Sequence, residues 1–406
     1  VEKQLKDLNV EFSTDLVVEV IDSLEMEPNK SLIFFRWLQE SGSFEHGQRS
    51  YIAAARILSK EDHTQKFWRL VNEMRDAGHE LDKENYVRLL EHFVKRRMMK
   101  DAVDLYEFAM GGRIKPSVHD CTFLLKKIVV SSELDMELFL KVVRCFKAYG
   151  NSLTDANLNA VVKSLTSAGK MAECNRIVTA MKETGYHPGS SVQCKIAYKL
   201  SRGGETSEAL HFAENGGDSR HLSDHKTWLA IIEGHCFSKN VDAACSSLRE
   251  MVDKVGSAGS GRALDLVTDL YCRDDRPLDG FEFLLEMVKE KGLTPWHTTY
   301  KKLTSELLYK KLYREALDVM SVMKSQGYPP YLKVFLKYLS KVGSADDAIE
   351  FTRAMTSKRS PATSVYLRLF DRYLNAGRES EAQDLLSKCP RYIRNHADVL
   401  NLFASN

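Results

Sequence analysis

Gly256-Ser257-Ala258-Gly259-Ser260-Gly261-Arg262-Ala263 has nearly the glycine spacing of a phosphate-cradling loop. Such a loop needs Lys and then Ser or Thr after its last glycine, to reach the phosphates and a magnesium ion. Arg262 and Ala263 supply neither, and the segment before it, ending Met251-Val252, is amphipathic rather than strand-like. The stretch reads as a flexible linker. His221 and His225, followed by His235-Cys236, approach metal-ligand spacing. They straddle a junction between two repeating units, so they read as structural or solvated histidines. Asp274-Asp275 falls at a turn between helices, without the further carboxylates that a metal-dependent nuclease converges on its ions. No nucleophile elbow and no Ser/His/Asp set is present. Cys121, Cys145, Cys174, Cys194, Cys236, Cys245, Cys272 and Cys389 are scattered without a C-x-x-C pair, as reduced packing residues would be. The expectation is therefore no catalytic residue, no metal site, no cofactor and no small-molecule substrate.

What remains is charge. Basic residues cluster at Lys95-Arg96-Arg97 with Lys100, at Lys126-Lys127, at Lys310-Lys311 with Arg314, and at Lys358-Arg359. The net charge of the 406 residues is only +2, which is weak for a free nucleic-acid binder, because phosphate neutralisation dominates such affinity. No apolar run approaches the ~20 residues of a membrane span.

The elements that would position these charges follow a period. Methionines recur at Met74, Met110, Met181, Met251, Met287, Met323 and Met355, at intervals of 36, 71, 70, 36, 36 and 32. Small residues keep the same beat at Ala209, Ala244, Gly280, Ala316, Ala348 and Ala382, and turn glycines at Gly78, Gly150, Gly185, Gly292 and Gly327. A period of this length marks a solenoid, in which no unit can bury its apolar face alone. Within 297–331, Tyr300, Leu303, Leu307 and Leu308 form one helical stripe. Leu312, Ala316, Val319, Met320 and Met323 form a second, and Gly327 with Pro329-Pro330 ends it. Units begin near Gln48, Lys83, Val118, Asp155, Ser190, His225, Ser260, His297, Leu332 and Thr363. Residues 1–47 are expected to form a degenerate N-terminal helical repeat or cap, carrying Leu32-Ile33-Phe34-Phe35 and Trp37. Residues 48–397 would hold about ten repeats, and residues 398–406 a capping helix stub.

The units resemble the pentatricopeptide repeat. The residues that carry the resemblance are an apolar or aromatic fourth residue (Leu158, Tyr300), Gly169 at the middle turn, Glu315-Ala316, Met181-Lys182 and Met323-Lys324. Gly-x-x-Pro follows at Gly185–Pro188 and Gly327–Pro330. The tetratricopeptide repeat shares the two-helix period, but the terminal Gly-x-x-Pro and the lack of an early Leu-Gly pair argue against it. The resemblance implies an all-α, right-handed superhelical α-solenoid of helix–turn–helix repeats of about 35 residues.

It also implies one-base-per-unit RNA reading by the fifth and last residues of each unit. The fifth residues here are Ile52, Val87, Thr122, Asn159, Cys194, Leu229, Leu264, Lys301, Leu336 and Leu367. Seven of these ten are apolar or Cys and cannot discriminate base edges by hydrogen bonds. The possible base-reading residues reduce to Thr122 with Thr154, and Asn159 facing Gly189. At the place where the family sets a lysine against phosphates, Lys60, Lys95 and Arg202 match, whereas Val130, Ser167, Phe237, Cys272 and Tyr309 do not. RNA-backbone contact is therefore expected at Lys60, Lys95, Arg96, Arg97, Lys126, Lys127 and Arg202. Trp296 and Tyr331, at unit ends, are expected to be exposed for packing or stacking.

Members of this family act mostly on RNA in mitochondria or chloroplasts. With little after the last repeat, no enzymatic domain is expected. The reading is a structural subunit of an organellar ribosome, in the mitochondrial matrix rather than the chloroplast, contacting rRNA and ribosomal proteins. A free factor for one transcript and a protein-interaction scaffold are the alternatives.

Overall fold

The computed structural model describes residues 11–215, 222–356 and 362–404. His221, Lys358 and Arg359 lie outside the described residues. The described chain is helical throughout, with no strand. In unit one, α1 (Thr14–Ser23) and α2 (Pro28–Ser41) pair first, then α3 (Gln48–Leu58) and α4 (Thr64–Asp76). α5 (Lys83–Lys95) pairs with α6 (Met99–Met110), α7 (Val118–Val130) with α8 (Met136–Ala148), and α9 (Asp155–Ser167) with α10 (Cys174–Glu183). The chain forms two compact units, residues 1–192 and 193–406, and the boundary falls in the first turn of α11 (Ser190–Arg202). Unit two continues with α12 (Thr206–Asn215), α13 (Leu222–Phe237), α14 (Val241–Val255), α15 (Gly261–Arg273) and α16 (Pro277–Lys289). α17 (His297–Tyr309), α18 (Tyr313–Ser325), α19 (Leu332–Lys341) and α20 (Ala345–Met355) follow. The last elements are α21 (Ala362–Asn375), α22 (Glu379–Lys388), the short α23 (Arg391–Arg394) and α24 (Ala397–Ala404). None of the described helices is long and apolar enough to cross a membrane.

Within each unit a first helix packs on its own second helix and on the next first helix, as α7 does on α9 and α15 on α17. The methionine register is core: Met74, Met110, Met181, Met251, Met287, Met323 and Met355 are all buried. Small residues sit where paired helices cross. Ala244, Ala316, Ala348 and Ala382 are buried, and a Cβ on Gly280 would lie 2.9 Å from the Tyr271 Cβ. Such close axes exclude any larger residue there.

Turns are fixed by backbone chemistry. All five turn glycines from the sequence, Gly78, Gly150, Gly185, Gly292 and Gly327, have positive φ. At Gly327, the glycine N–H donates to the Lys324 carbonyl and the Tyr328 N–H to that of Met323. This pairs the free carbonyls at the helix end, and only glycine enters the left-handed region without strain. Seven of the turns inside a pair use the same device at one place, occupied by Arg97, Gly169, Gly204, Lys239, Asp275, Lys311 and Gly377. At four of these seven a side chain is held at φ near 60°, from 59° to 63°.

The left-handed residue also sets register. In six of these pairs it stands fourteen residues after the expected start, but in α15–α16 it is Asp275, which moves that start from Ser260 to Gly261. The fifth residue there is Asp265 rather than Leu264, which is fully buried, and Arg273 replaces Cys272 at the phosphate place. Glycine-rich residues 256–261 carry no apolar stripe, so the sequence pattern had nothing to anchor that register. The near-phosphate loop is the turn between α14 and α15, with Gly256 and Gly259 at positive φ and Ser260 buried.

Candidate nucleic-acid interface

The last residue of a unit precedes the next first helix, and that location decides its chemistry. Asp82, Ser117 and Thr154 are helix caps. Asp82 Oδ1 accepts from the Asn85 N–H at 2.8 Å. Ser117 and Asp120 form a reciprocal capping box, with the Ser117 N–H donating to the Asp120 carboxylate at 2.7 Å. The Thr154 N–H and hydroxyl donate to Asn157 Oδ1 at 2.8 and 2.7 Å. These groups satisfy N–H donors and acceptors that the helix start leaves unpaired.

The pair Thr122 and Thr154 is joined through Asn157. Its Nδ2 donates to Thr122 Oγ1 at 2.7 Å, while its Oδ1 accepts from Thr154. Thr122 Oγ1 in turn donates to the Val118 carbonyl at 2.8 Å. The same link recurs in unit two, where Thr299 Oγ1 donates to Asp265 Oδ1 at 2.6 Å. The third residue of one first helix thus engages the fifth residue of the helix before it. A side chain tied in this way has little hydrogen-bonding capacity left for a base edge. Asn159 is half-buried, and its side chain makes no hydrogen bond among the described residues.

Lys60, Lys95 and Arg96 all act on His92. The His92 imidazole is held below its usual titration range, first by burial and then by repulsion from Arg96, Lys60 and Lys95. Lys60 Nζ donates to the Glu25 carbonyl at 2.9 Å, which fixes it over the preceding turn. Lys95 and Arg96 are exposed, and Arg97 follows in the left-handed turn at φ 61°. These cations have no ion-pair partner among the described residues. Many others do: Arg36 pairs with Glu73, Lys141 with Asp104, and Arg249 grips Glu286 through two bonds of 2.7 and 2.8 Å. Each such pair links consecutive second helices, so these charges hold repeats together.

Lys126 and Lys127 are exposed on α7, and Lys127 Nζ stands 5.5 Å from the centre of the Phe123 ring. Arg202 belongs to unit two. Its guanidinium lies 4.0 Å from the centre of the Phe237 ring, which meets Tyr198 edge-on at 6.5 Å. Trp296 is 45% exposed, with Arg262 over its ring. Tyr331 departs from expectation. It is half-buried, stacked on His297 at 4.2 Å, and its hydroxyl donates to the His297 carbonyl at 2.9 Å. The two positions share an alignment column, but only Tyr331 has an aromatic neighbour of its own unit to cover it.

Burial raises the thiols of Cys121, Cys236 and Cys272 to about 12 and that of Cys389 to about 11, so these cysteines are protonated packing groups at neutral pH. Among the described residues no three His, Cys, Asp or Glu side chains assemble a metal site. His225 packs against Gly259, and His235 is fully buried in α13. Sequence reasoning missed His92 and Asn157. The i+35 spacing from Thr122 to Asn157 was the available signal for the latter.

The family model described as PPR repeat matches residues 226–254. A mitochondrial pentatricopeptide repeat-containing protein of Arabidopsis thaliana is 42% identical over 99% of this chain and 62% of its own length. The chain belongs to the pentatricopeptide repeat family. Small ribosomal subunit protein mS81 of Arabidopsis thaliana is 41% identical over 99% of the chain and 62% of that protein. A chloroplastic pentatricopeptide repeat-containing protein of the same plant is 33% identical over the whole chain and 66% of its own length. The chain therefore spans just under two thirds of these relatives.

Proposed function

We propose that this chain is a non-catalytic RNA- and protein-binding subunit of the small mitochondrial ribosomal subunit, held against rRNA and neighbouring ribosomal proteins. The observation that carries the reading is the 41% identity to mS81 across 99% of the chain. The mitochondrial relative at 42% identity supports the organelle. The side-chain geometry agrees with a fixed structural role. With Asp265 in place of Leu264, six of the ten fifth positions are still apolar or Cys, and Thr122 and Thr154 are joined to Asn157 rather than free. Backbone contact would fall on Lys60, Lys95, Arg96 and Arg97, with Lys126, Lys127 and Arg202 as further phosphate contacts. Asn159 is the base-reading candidate that remains available. Residues 48–397 would act as the repeat array, between caps at 1–47 and 398–406. Phosphate contacts position a protein on RNA and carry no sequence information.

The test is sedimentation of mitochondrial extract on a density gradient, with the protein followed by antibody. Co-migration with the small ribosomal subunit, retained after mRNA is removed, is the expected result. Migration free of ribosomal particles would refute the reading in favour of a transcript-specific factor.

A further inference from the structure

α19 carries an apolar stripe beyond the one it buries. Phe335, Leu336 and Leu339 are buried and face the core. Beside them Val334, Tyr338 and, at the helix end, Val342 stand at i, i+4 and i+8, a spacing that keeps to one face. This second stripe is not covered: Val342 is 56% exposed, and Val334 and Tyr338 are half-buried. It lines a groove of about 530 Å³ in unit two, together with Leu308 and the 80% exposed Tyr309 of α17. Tyr338 stacks on Tyr313 at 5.7 Å, which holds its ring in the groove wall. Lys333, Lys337 and Lys341 repeat the same spacing one residue earlier, and Lys311 lines the groove from the turn after α17. Among the described residues no carboxylate lines it. All four lysines are exposed, and none has an ion-pair partner among the described residues. Other lysines of unit two do: Lys254 pairs with Glu214, Lys291 with Asp253, Lys302 with Asp269 and Lys388 with Asp346.

We propose that this groove receives an amphipathic helix of a neighbouring protein, with an apolar stripe laid against Val334, Tyr338, Val342 and Tyr309 and acidic side chains set against the lysine ladder. The chemistry of the partner is the complement of the groove. An apolar stripe flanked by a row of like charges is half of a helix–helix seam, in which the flanking charges choose the partner and its orientation. Recognition of a helix in a groove reads anchors about four residues apart on its apolar face. The uncovered stripe from 334 to 342 runs for about 12 Å, a little over two helical turns. Asp or Glu spaced four apart on the partner would meet Lys333, Lys337 and Lys341 in turn. Three features favour a protein helix over RNA. The methyl groups of Val334, Val342 and Leu308 gain free energy when aliphatic surface covers them, and a phosphodiester supplies none. Tyr309 is of a residue type enriched at the hot spots of protein interfaces. The lysines are exposed, as the charged rim of such an interface is, and their stems extend its apolar wall. The inference rests on the protein-binding half of the reading above, and names the place and the kind of partner.

The probe is a synthetic helical peptide of about 18 residues, with Leu at i, i+4 and i+8 and Glu beside each. Its binding to the full chain is read by fluorescence anisotropy, beside one peptide with Ala for Leu, one with Lys for Glu, and oligouridine of about ten nucleotides. The Glu peptide is expected to bind, and the Ala and Lys peptides to bind at least about 10-fold more weakly. Tyr309→Ala and Val342→Asp should each weaken the Glu peptide about 5- to 30-fold. The triple variant Lys333→Glu, Lys337→Glu, Lys341→Glu should weaken it about 3- to 100-fold and gain binding of the Lys peptide, an exchange that loss of folding cannot produce. All substituted side chains are exposed, and unchanged far-ultraviolet circular dichroism confirms folding. In mitochondrial extract, the photoreactive p-benzoylphenylalanine in place of Tyr309 should give an adduct that resists ribonuclease. Its crosslinked peptide should carry apolar residues four apart, flanked by Asp or Glu. Equal affinity for the Glu and Lys peptides, displacement of the Glu peptide by oligouridine, or a ribonuclease-sensitive adduct would each overturn the proposal. The peptide titration needs no ribosome, and sedimentation reads the ribosomal assignment separately, so either can fail alone.

Discussion

Replacing Arg97 by glycine should make the protein more stable and its RNA binding weaker. Lys311 stands at φ 63° in the turn between α17 and α18, and Arg97 at 61° in the turn between α5 and α6. A side chain in the left-handed region costs about 1–2 kcal/mol relative to right-handed backbone. Glycine removes that strain but enlarges the entropy of the unfolded chain, which returns about 0.5–1 kcal/mol. The net gain is about 0.5–1 kcal/mol for Lys311→Gly, and the same for Arg97→Gly. For a cooperative unit of roughly 200 residues this raises the melting temperature by about 1–4 °C. The comparison is internal, because Gly169, Gly204 and Gly377 already occupy the equivalent place. Gly204→Lys should accordingly lower stability by a similar amount. The N–H of each left-handed residue donates to the carbonyl three residues back, from Lys311 to Leu308 and from Arg97 to Val94, and glycine preserves both bonds. Thermal unfolding by circular dichroism reads the first effect and RNA affinity the second. A melting temperature that falls in Lys311→Gly and Arg97→Gly would show that these side chains stabilise their turns, and the strain argument would fail.

Substituting Lys60, Lys95, Lys126 and Arg202 together by alanine should weaken all RNA sequences about equally and lower the salt slope by about 3, as read in a salt titration. Met323→Ala opens a cavity at a fully packed crossing and should cost about 2–5 kcal/mol in a denaturant titration. Gly280→Val forces a Cβ to 2.9 Å from that of Tyr271 and adds a branched residue to α16. It should cost about 1–3 kcal/mol by the same assay, although no side chain is removed. Acid should destabilise the fold through His46, His92 and His235, whose protonation burial opposes in the native state. The unfolded chain then binds more protons than the folded one. Stability contributed by neutral imidazole is present above the unfolded value of 6.5 and is lost as pH falls below it. A denaturation midpoint that did not drop between about pH 7.5 and 5.5 would contradict this.

The helices were legible because their signals repeat. A methionine, a small residue and a turn glycine recur in register, and first helices open at Gln48, Lys83, Val118, Asp155, Ser190, His297 and Leu332 as expected. Where the signal thinned, register slipped. The glycines around 256–261 left the start of α15 displaced by one, and α13 opens at Leu222, three residues before His225. The RNA face was legible in residue type but not in commitment. Thr122 and Thr154 look like base readers in a sequence, and only coordinates show Asn157 holding both. Lys60, Lys95 and Arg96 were singled out for charge, yet their shared electrostatic effect on His92 has no sequence signature.

The central claim is that the protein works as a fixed part of a mitochondrial ribosome, and gradient sedimentation of mitochondrial extract tests it most directly. The account predicts that the protein migrates with the small subunit, stays there when mRNA is digested away, and leaves it only when the rRNA itself is degraded. A protein found free of ribosomal particles, together with selection of one short RNA motif bound about 1,000-fold above random sequence, would contradict it.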